Sequence, residues 1–427
     1  MNVEYKTLAE RLNRECDCAV IDLGALRQRL DDVPARGPAA PLEQTHPHLF
    51  AEAPYFLDSA HALEMQRVVA AVHAVAKLPG YQQAVLANAP DIARHAQGPG
   101  GVFLGFDFHI SADGPRLIEI NTNAGGAFLN IAARKAERPC CPGMSREAAQ
   151  PAAILEDAVH AMFMTEWRRA RGDVPLRTIA IVDTNPREQY LYPEFLLARQ
   201  LLEARGIVTF IADPCELELS NEGIAIGGVP IDLIYNRLTD FYFESDANEI
   251  LRTAYLRNLA VVTPHPHAHA IYSNKENLVS LSDAPALASL GVEASHIELL
   301  TRAVPATRPV SGCEQTWWRD RGDWFFKPRH GFGSRGAYRG DKITRRVFAE
   351  IMNGDYIAQR HIAPSERSRG SGPERETFKV DIRCYVYDGA IQLMAARMYQ
   401  GQTTNFRSAG GGFAPVHVIG DVLRLSA

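Results

Sequence analysis

From Thr178 the chain alternates in a way that admits few folds. Thr178-Ile-Ala-Ile-Val-Asp183 is an apolar run of strand length, and Ile207-Val-Thr-Phe-Ile-Ala212 is another. Between them Tyr192 to Arg205 carries apolar residues at helical spacing and is closed by Gly206. Two strands buried on both faces and joined through a helix are the unit of a helix-covered parallel sheet. With short strands predicted at Gly223–Ile226 and Ile231–Tyr235, residues 176–265 are expected to form a small Rossmann-like lobe. Asp183 ends the first strand, where such sheets bind ligands. With Arg187, Glu188, Gln189, Asn236 and Arg237 it either faces a substrate or serves helix capping and surface charge.

A chain of 427 residues exceeds one ordinary core, so this lobe needs companions. The first hundred residues read as mostly helical: Leu63 to Leu86 has helical periodicity interrupted at Pro79-Gly80, after a Pro-rich loop from Val33 to Pro54. Residues 134–152 read as loop, Ala153 to Arg171 as helix, and Pro364 to Glu376 as the most mobile loop. The balance of 50 acidic against 45 basic side chains gives no case for nucleic acid or an anionic membrane. No apolar run reaches the roughly 18 residues of a membrane span, and MNVEYKTLAERLNRE carries no leader-like apolar segment; a cytoplasmic protein is expected. Seven cysteines (16, 18, 140, 141, 215, 313 and 384), odd in number and irregular in spacing, argue for reduced structural thiols.

The chemistry gathers in four stretches. Gly105-Phe-Asp107 runs through a strand to a turn at Asp113-Gly114, and Leu117-Ile-Glu119-Ile-Asn121 returns, followed by Thr122-Asn123-Ala124-Gly125-Gly126. Glu119 and Asn121 share a strand face, and Asp107 lies across the turn. Two carboxylates and an amide oxygen suit Mg²⁺ completed by phosphates and water. The alternative is the polar face of an exposed hairpin. The second stretch is an apolar strand, Trp324-Phe-Phe, that delivers Lys327 to a loop holding Gly331, Gly333, Ser334 and Gly336; a lysine and backbone N–H groups are phosphate ligands, although such loops are more often plain turns. The third, Asp355 to Ile362, is a short strand and connector containing Gln359, Arg360 and His361. The fourth is the strand Lys379-Val-Asp381-Ile-Arg383, trailed by Arg397 and by Thr403-Thr-Asn405-Phe-Arg407-Ser-Ala-Gly-Gly411-Gly, a recurrence that suits an anion. His265-Pro-His267-Ala-His269 has the look of a metal clip, but a short Pro-containing loop is better read as lining a site or facing solvent.

Together these stretches resemble the ATP-grasp superfamily. The FD…IEINTNAGG stretch is similar to the metal-binding end of D-alanine–D-alanine ligase and to the EINT stretch of glutathione synthetase. The Glu-x-Asn element precedes Lys327 instead of following it, the order of the circularly permuted, eukaryotic-type glutathione synthetase. VPIDLIYNRLTDFYF and the segment up to Lys275 resemble that family's middle region. The resemblance implies an α/β, circularly permuted ATP-grasp fold with an inserted substrate lobe. Residues 1–100 would be a helical region, 101–175 a displaced part of the core with the metal-binding hairpin, 176–265 the substrate lobe, and 266–427 the nucleotide-binding lobes.

It implies Mg-ATP-dependent joining of a carboxylate to an amine through an acyl phosphate. The competing readings are a phosphotransferase that stops after phosphoryl transfer and a silent nucleotide-binding partner. By the resemblance Lys275, Lys327, Arg383, the Gly331–Gly336 loop and the Gln359–Ile362 connector hold ATP. Glu119 and Asn121, with Asp107 or Asp381, hold Mg²⁺. Lys327, Arg383 and Arg407 are the catalytic cations, and Asn123, Gly125, Gly126, Asn236, Arg237, Asn405 and Gly411 meet small-molecule substrates. Neither nucleic acid nor membrane is implied, and a homodimer is permitted. Three departures stand out. Gly105 occupies the place of an arginine common in related ligases. Gln359 stands where a glutamate is common. Nothing matches the residues that hold γ-glutamylcysteine, so glutathione is not the predicted product.

Overall fold

The computed structural model describes residues 6–31, 42–138, 151–331, 336–370 and 372–420. Its largest sheet has seven strands. The path runs Tyr55–Asp58, Gly412–Ile419, Ala390–Tyr399, Glu376–Tyr387, Leu104–Ser111 and Gly114–Asn121, with Ser365–Arg369 pairing the first half of Glu376–Tyr387. All pairs are antiparallel except Tyr55–Asp58 with Gly412–Ile419. Glu376–Tyr387 is central because its alternation is clean. Phe378, Val380, Ile382, Cys384 and Val386 are buried on one face, and Lys379, Asp381, Arg383 and Tyr385 take the other.

The apolar face packs on the helix Ser59–Ala76 through Met65, Val68 and Val72, and on Leu300 of Ala294–Ala303. Phe106, Phe108 and Ile382 are fully buried there, each contributing about 1.5–3 kcal/mol. Asp58 caps the first helix by accepting from the Ala60 N–H. A second helix starts at Pro79, a residue tolerated only in the first turn, so the expected interruption falls between two helices, Ser59–Ala76 and Pro79–Ala87.

The alternating segment forms a four-stranded parallel sheet in the order Val261–Thr263, Leu233–Asn236, Thr178–Val182, Val208–Ala212. The chain leaves Thr178–Val182 to one side and returns on the other, so the crevice lies where Asp183 and Arg237 follow their strands. A third sheet, Thr307–Pro309, Tyr356–Arg360, Trp324–Pro328 and Tyr338–Arg339, is antiparallel and has its own core of Trp324, Phe326, Phe348 and Ile351.

Two expectations change. The first hundred residues are not helical throughout, because Tyr55–Asp58 completes the edge of the large sheet. Pro364 to Glu376 is not simply a loop: Ser365–Arg369 is a strand, and Arg367, fully buried, donates to the carbonyls of Asn13, Cys16 and Pro54. A buried guanidinium persists only when its donors are met, and the N-terminal segment supplies the acceptors. Among the described residues no helix is long and apolar enough to cross a membrane. Five free cysteines are described; Cys140 and Cys141 lie outside the described residues.

Candidate active site

The polar face of the large sheet gathers residues from opposite ends of the chain. Asp107 is directly opposite Glu119 on one side and Arg383 on the other, and Asp381 is opposite Arg397. Cross-strand partners share a face, as do residues two apart, so Asp107, Glu119, Asn121, Asp381, Arg383 and Arg397 form one patch. Arg383 grips Asp107 with two hydrogen bonds of 2.7 Å. Arg397 bridges Asp381 at 2.5 Å and Asp107 at 2.8 Å. The Thr404 hydroxyl also donates to Asp381.

The third sheet and the segment before it supply the facing wall. Lys275 Nζ lies 3.2 Å from Glu119 and donates to the Gly331 carbonyl at 2.6 Å. Lys327 Nζ donates to the Ile118 carbonyl at 2.7 Å and to Gln359 Oε1 at 2.9 Å. The two walls enclose a cleft of about 490 Å³, within the range of small-molecule sites. Seven lysines and arginines line it (Lys275, Lys327, Arg339, Arg360, Lys379, Arg383 and Arg397) against three carboxylates, so the cleft favours an anion.

The electrostatics follow. Burial pushes the Asp107 carboxyl up, but Arg383 and Arg397 outweigh it and hold it below the usual range. Glu119 is likewise raised by burial and lowered more by Lys275 and Lys327. Lys327 is pulled down to about 8, mainly by burial, with Glu119 opposing and Lys275 adding to the fall. Half-buried His269 is pushed down to about 3, by desolvation first and then by Lys275, and is neutral at pH 7.

Of the residues singled out in the sequence, Asp107, Glu119, Asn121, Asp381 and Arg383 line this cleft, with Lys275, Lys327, Gly331 and the connector Gln359–Ile362 opposite and Asn123 and Gly125 at one end. The connector is already bonded: the Arg360 and His361 N–H groups donate to the Ala306 and Asp323 carbonyls, and the Ile362 carbonyl meets His109 Nδ1 at 2.9 Å. Gly333 and Ser334 lie outside the described residues, and Gly336 is a turn position with φ of 69°.

Several others are not at the cleft. Arg407 is exposed and does not line it. Asn405 is committed to its own loop, donating to the Gln400 and Thr403 carbonyls and accepting from the Arg407 N–H. Gly411 is pinned against the Met398 carbonyl, 2.5 Å from where a Cβ would stand. Asn236 holds Pro264 and Leu238, and Arg237 is buried beside Tyr235 and Glu194. The Gly126 N–H donates to the Glu194 carboxylate at 2.8 Å. The three histidines do not converge: His265 bonds Pro99, His267 bonds Ala93 and His269 stacks on Phe241.

Arg397 is the site residue that sequence reasoning noticed but did not place. Asp388-Gly389, both with positive φ, make the two-residue turn of a hairpin, and a bulge at Tyr385/Val386 shifts the register by one. Counting back from that turn sets Arg397 opposite Asp381. Gly105 is also explained. A Cβ there would stand 2.6 Å from Ala124 Cβ, so the glycine makes room for the loop that follows Asn121, with Arg383 Nε at ordinary contact distance, 3.4 Å.

Magnesium and ATP can be tested against these donors. Both oxygens of Asp107 and both of Asp381 are already engaged by hydrogen bonds. Glu119 and Asn121 remain as a carboxylate and an amide on one face. Among the described residues no group of three or more His, Cys, Asp or Glu is arranged to hold a metal. The site thus fits an ion that arrives on nucleotide phosphates, as Mg²⁺ commonly does, better than a resident metal.

No family model matches the chain, and no curated protein matches it by sequence. Among solved structures it is similar to a glutathione synthetase-like effector from Globodera pallida, with a TM-score of 0.57, 10% identity and coverage of 93% of this chain and 97% of that one. A putative γ-glutamylcysteine synthetase from Methylobacillus flagellatus (TM-score 0.47, 10% identity, 83% and 87% covered) and the ATP-grasp ligase PsnB (0.29, 12%, 56% and 88%) also match. The first of these carries the fold: the chain shares the mixed α/β fold of that glutathione synthetase-like effector.

Proposed function

We propose that the protein is an ATP-dependent ligase that joins a carboxylic acid to an amine. The observation that supports this most is the single face carrying Asp107, Glu119, Asn121, Asp381, Arg383 and Arg397 beneath Lys275 and Lys327. Distant segments that bring Lys275, Lys327, Arg383 and Arg397 together with a Glu-x-Asn pair into one cleft suit a triphosphate and its ion.

In this reading the substrate carboxylate attacks the γ-phosphorus of ATP, forming an acyl–phosphate bond as the bond to ADP breaks. The amine then attacks the acyl carbon, and phosphate leaves as the C–N bond forms; the amine proton passes to phosphate or water. Such chemistry is positioning and charge stabilisation. Lys327 and Lys275 offset negative charge from one wall, and Arg383 from the other. Arg397 is the positioning residue that keeps Asp381 and Asp107 fixed beneath them. Glu119 and Asn121 would hold Mg²⁺, which supplies charge neutralisation at the phosphates when bound. Circular permutation of the element order belongs to this reading, supported by the hairpin Leu104–Asn121 lying beside Glu376–Tyr387.

The test is ADP release with amino acids, short peptides and polyamines as candidate substrates, followed by mass spectrometry of the adduct. Lys327→Ala should lower turnover roughly hundredfold or more, the usual cost of one transition-state cation. Near-normal turnover in that variant would sink the proposal. Phosphorylated acid accumulating in place of amide would reassign the protein as a phosphotransferase.

A further inference from the structure

Phosphate chemistry accounts for one end of the cleft and leaves the other unexplained. At that end the loop from Thr122 to Gly126 is held between two aromatic groups. On one side Phe413 fills the space beside Gly126, only 2.2 Å from where a Cβ would be, and packs on Phe406 with ring centres 4.7 Å apart. Phe406 in turn stacks on Tyr190 at 5.7 Å. On the other side Phe241 lies flat on His269, 4.0 Å between centres and 8° between planes, and the Thr122 hydroxyl meets His269 Nδ1 at 3.0 Å. Phe241, Phe406 and Leu191 all line the cleft and keep part of their surface open.

Within this apolar frame one polar atom lacks a partner. Asn123 donates through Nδ2 to the Leu238 carbonyl, and its side-chain oxygen is buried with no donor among the described residues. Leaving a buried acceptor unmet is costly, so the atom is a ready site for a ligand N–H. The charge of the ligand is also constrained. Phe241, His269, Leu191, Phe406 and Phe413 bring no cation, since His269 is neutral. Arg397 is opposite Phe413 in register but is turned onto Asp381 and Asp107. Arg237 stands behind Gly125 and faces Glu194. Lys275 is near enough to act on His269 but is paired with Glu119 and the Gly331 carbonyl, so each cation near this end is already committed and a carboxylate placed here would gain little counter-charge.

We infer that this end receives the amine, carried on an aromatic or large apolar skeleton, with the nitrogen on the Asn123 side-chain oxygen and the apolar group between Phe241 and Phe406. This rests on the ligase reading and adds the class of its second substrate. The amine would then approach along the Thr122–Gly126 loop toward the acyl group held near Lys275. Selectivity comes from the rings and polarity from Asn123, so the two can be separated.

Three probes make that separation by isothermal titration of the full chain, with and without Mg²⁺ and a non-hydrolysable ATP analogue. They are 2-phenylethylamine, ethylamine and 3-phenylpropionate. 2-Phenylethylamine should bind roughly tenfold or more tightly than ethylamine, the usual worth of an apolar pocket, and tighter than 3-phenylpropionate by a similar factor. Phe241→Ala and Phe406→Ala should each remove most of the first preference, and Asn123→Ala most of the second, with affinity for the analogue unchanged in all three. Ethylamine binding as well as its phenyl counterpart would overturn the apolar assignment. Equal or tighter binding of 3-phenylpropionate, or binding of neither phenyl compound, would overturn the amine assignment. The analogue's own titration reports separately on the nucleotide reading: its failure to bind would remove the ligase proposal whatever the amines do.

Discussion

Two arginine–carboxylate clusters in this protein have similar parts and opposite settings. Arg383 and Arg397 hold Asp107 and Asp381 on the floor of the open cleft. Arg237 faces Glu194 and Asp183 at the crevice of the parallel sheet, where an α/β lobe ordinarily receives a ligand. That crevice is filled from within. Leu191 Cδ1 occupies the space beside Gly125, 2.3 Å from where a Cβ would stand, and Glu194, 1% exposed, takes the Gly126 and Phe128 N–H groups. The N-terminus of the helix Ala127–Lys135 is therefore already met by a carboxyl group of the protein. Fold position marks both places as sites; packing fills the space at Arg237 and Glu194, and the lobe's own cavity, about 310 Å³, lies to one side against Asn185, Arg187, Glu188 and Asp213.

Removing one partner from either cluster leaves a buried charge uncompensated, which costs about 3–5 kcal/mol. Arg397→Ala should show that loss in chemical denaturation and also weaken ATP binding, because the floor of the cleft loses its order. Glu194→Ala should lose comparable stability yet keep the affinity for ATP. Equal loss of affinity in both variants would erase the distinction between open and closed clusters. Gly125→Ala should cost less, about 1–3 kcal/mol from overpacking against Leu191, with part of it regained in the Leu191→Ala background. If Gly125→Ala is neutral by denaturant midpoint, the crevice is looser than the contact implies.

The comparison also shows what the sequence could carry. The α/β lobe and the hairpin were legible because periodicity and turn residues are local signals; Gly206 and Asp113-Gly114 mark their ends within a residue or two. The pairing of Asp107 with Arg383 was reachable only through motif co-occurrence, since 276 positions separate them. Arg407 and Arg397 looked alike as arginines near an Asp-x-Arg strand. Strand register decides between them, and register depends on a bulge that composition does not reveal. Asn405 and Asn123 likewise differ only in how their neighbours satisfy them. The Ser365–Arg369 strand was hidden because its surroundings are Ser, Arg, Gly and Pro; its burial comes from the N-terminal segment, a tertiary cause.

The open cluster should also respond to pH through Lys327. Burial lowers its pKa to about 8, so the free protein loses this cation as pH rises past that value. On the proposed function a triphosphate would bind the charged form and take up a proton in doing so. ATP affinity measured by titration should be flat below pH 8 and then fall, by up to about tenfold per pH unit. Lys327→Ala should bind weakly and lose this slope. A wild-type profile flat to pH 10 would mean that Lys327 does not carry the phosphate contact.

The closed cluster should give the smallest effect and the opposite sense of test. Asp183 is raised to about 6, by burial first, with Arg237 opposing. Its unfolded value is near 3.9, so between roughly pH 4 and 6 the folded chain keeps a proton that the unfolded chain releases. Stability therefore falls as pH rises through that window, and the penalty is complete above it. Asp183→Asn keeps an oxygen for the Thr184 N–H and removes the charge. It should raise stability at pH 7.5 by about 1 kcal/mol, less than the full shift implies because the carboxylate is still partly wetted, and change little near pH 3.5. A loss of stability at pH 7.5 would mean that the attraction to Arg237 outweighs desolvation. The crevice would then be hydrated, and its claim as a ligand site would reopen.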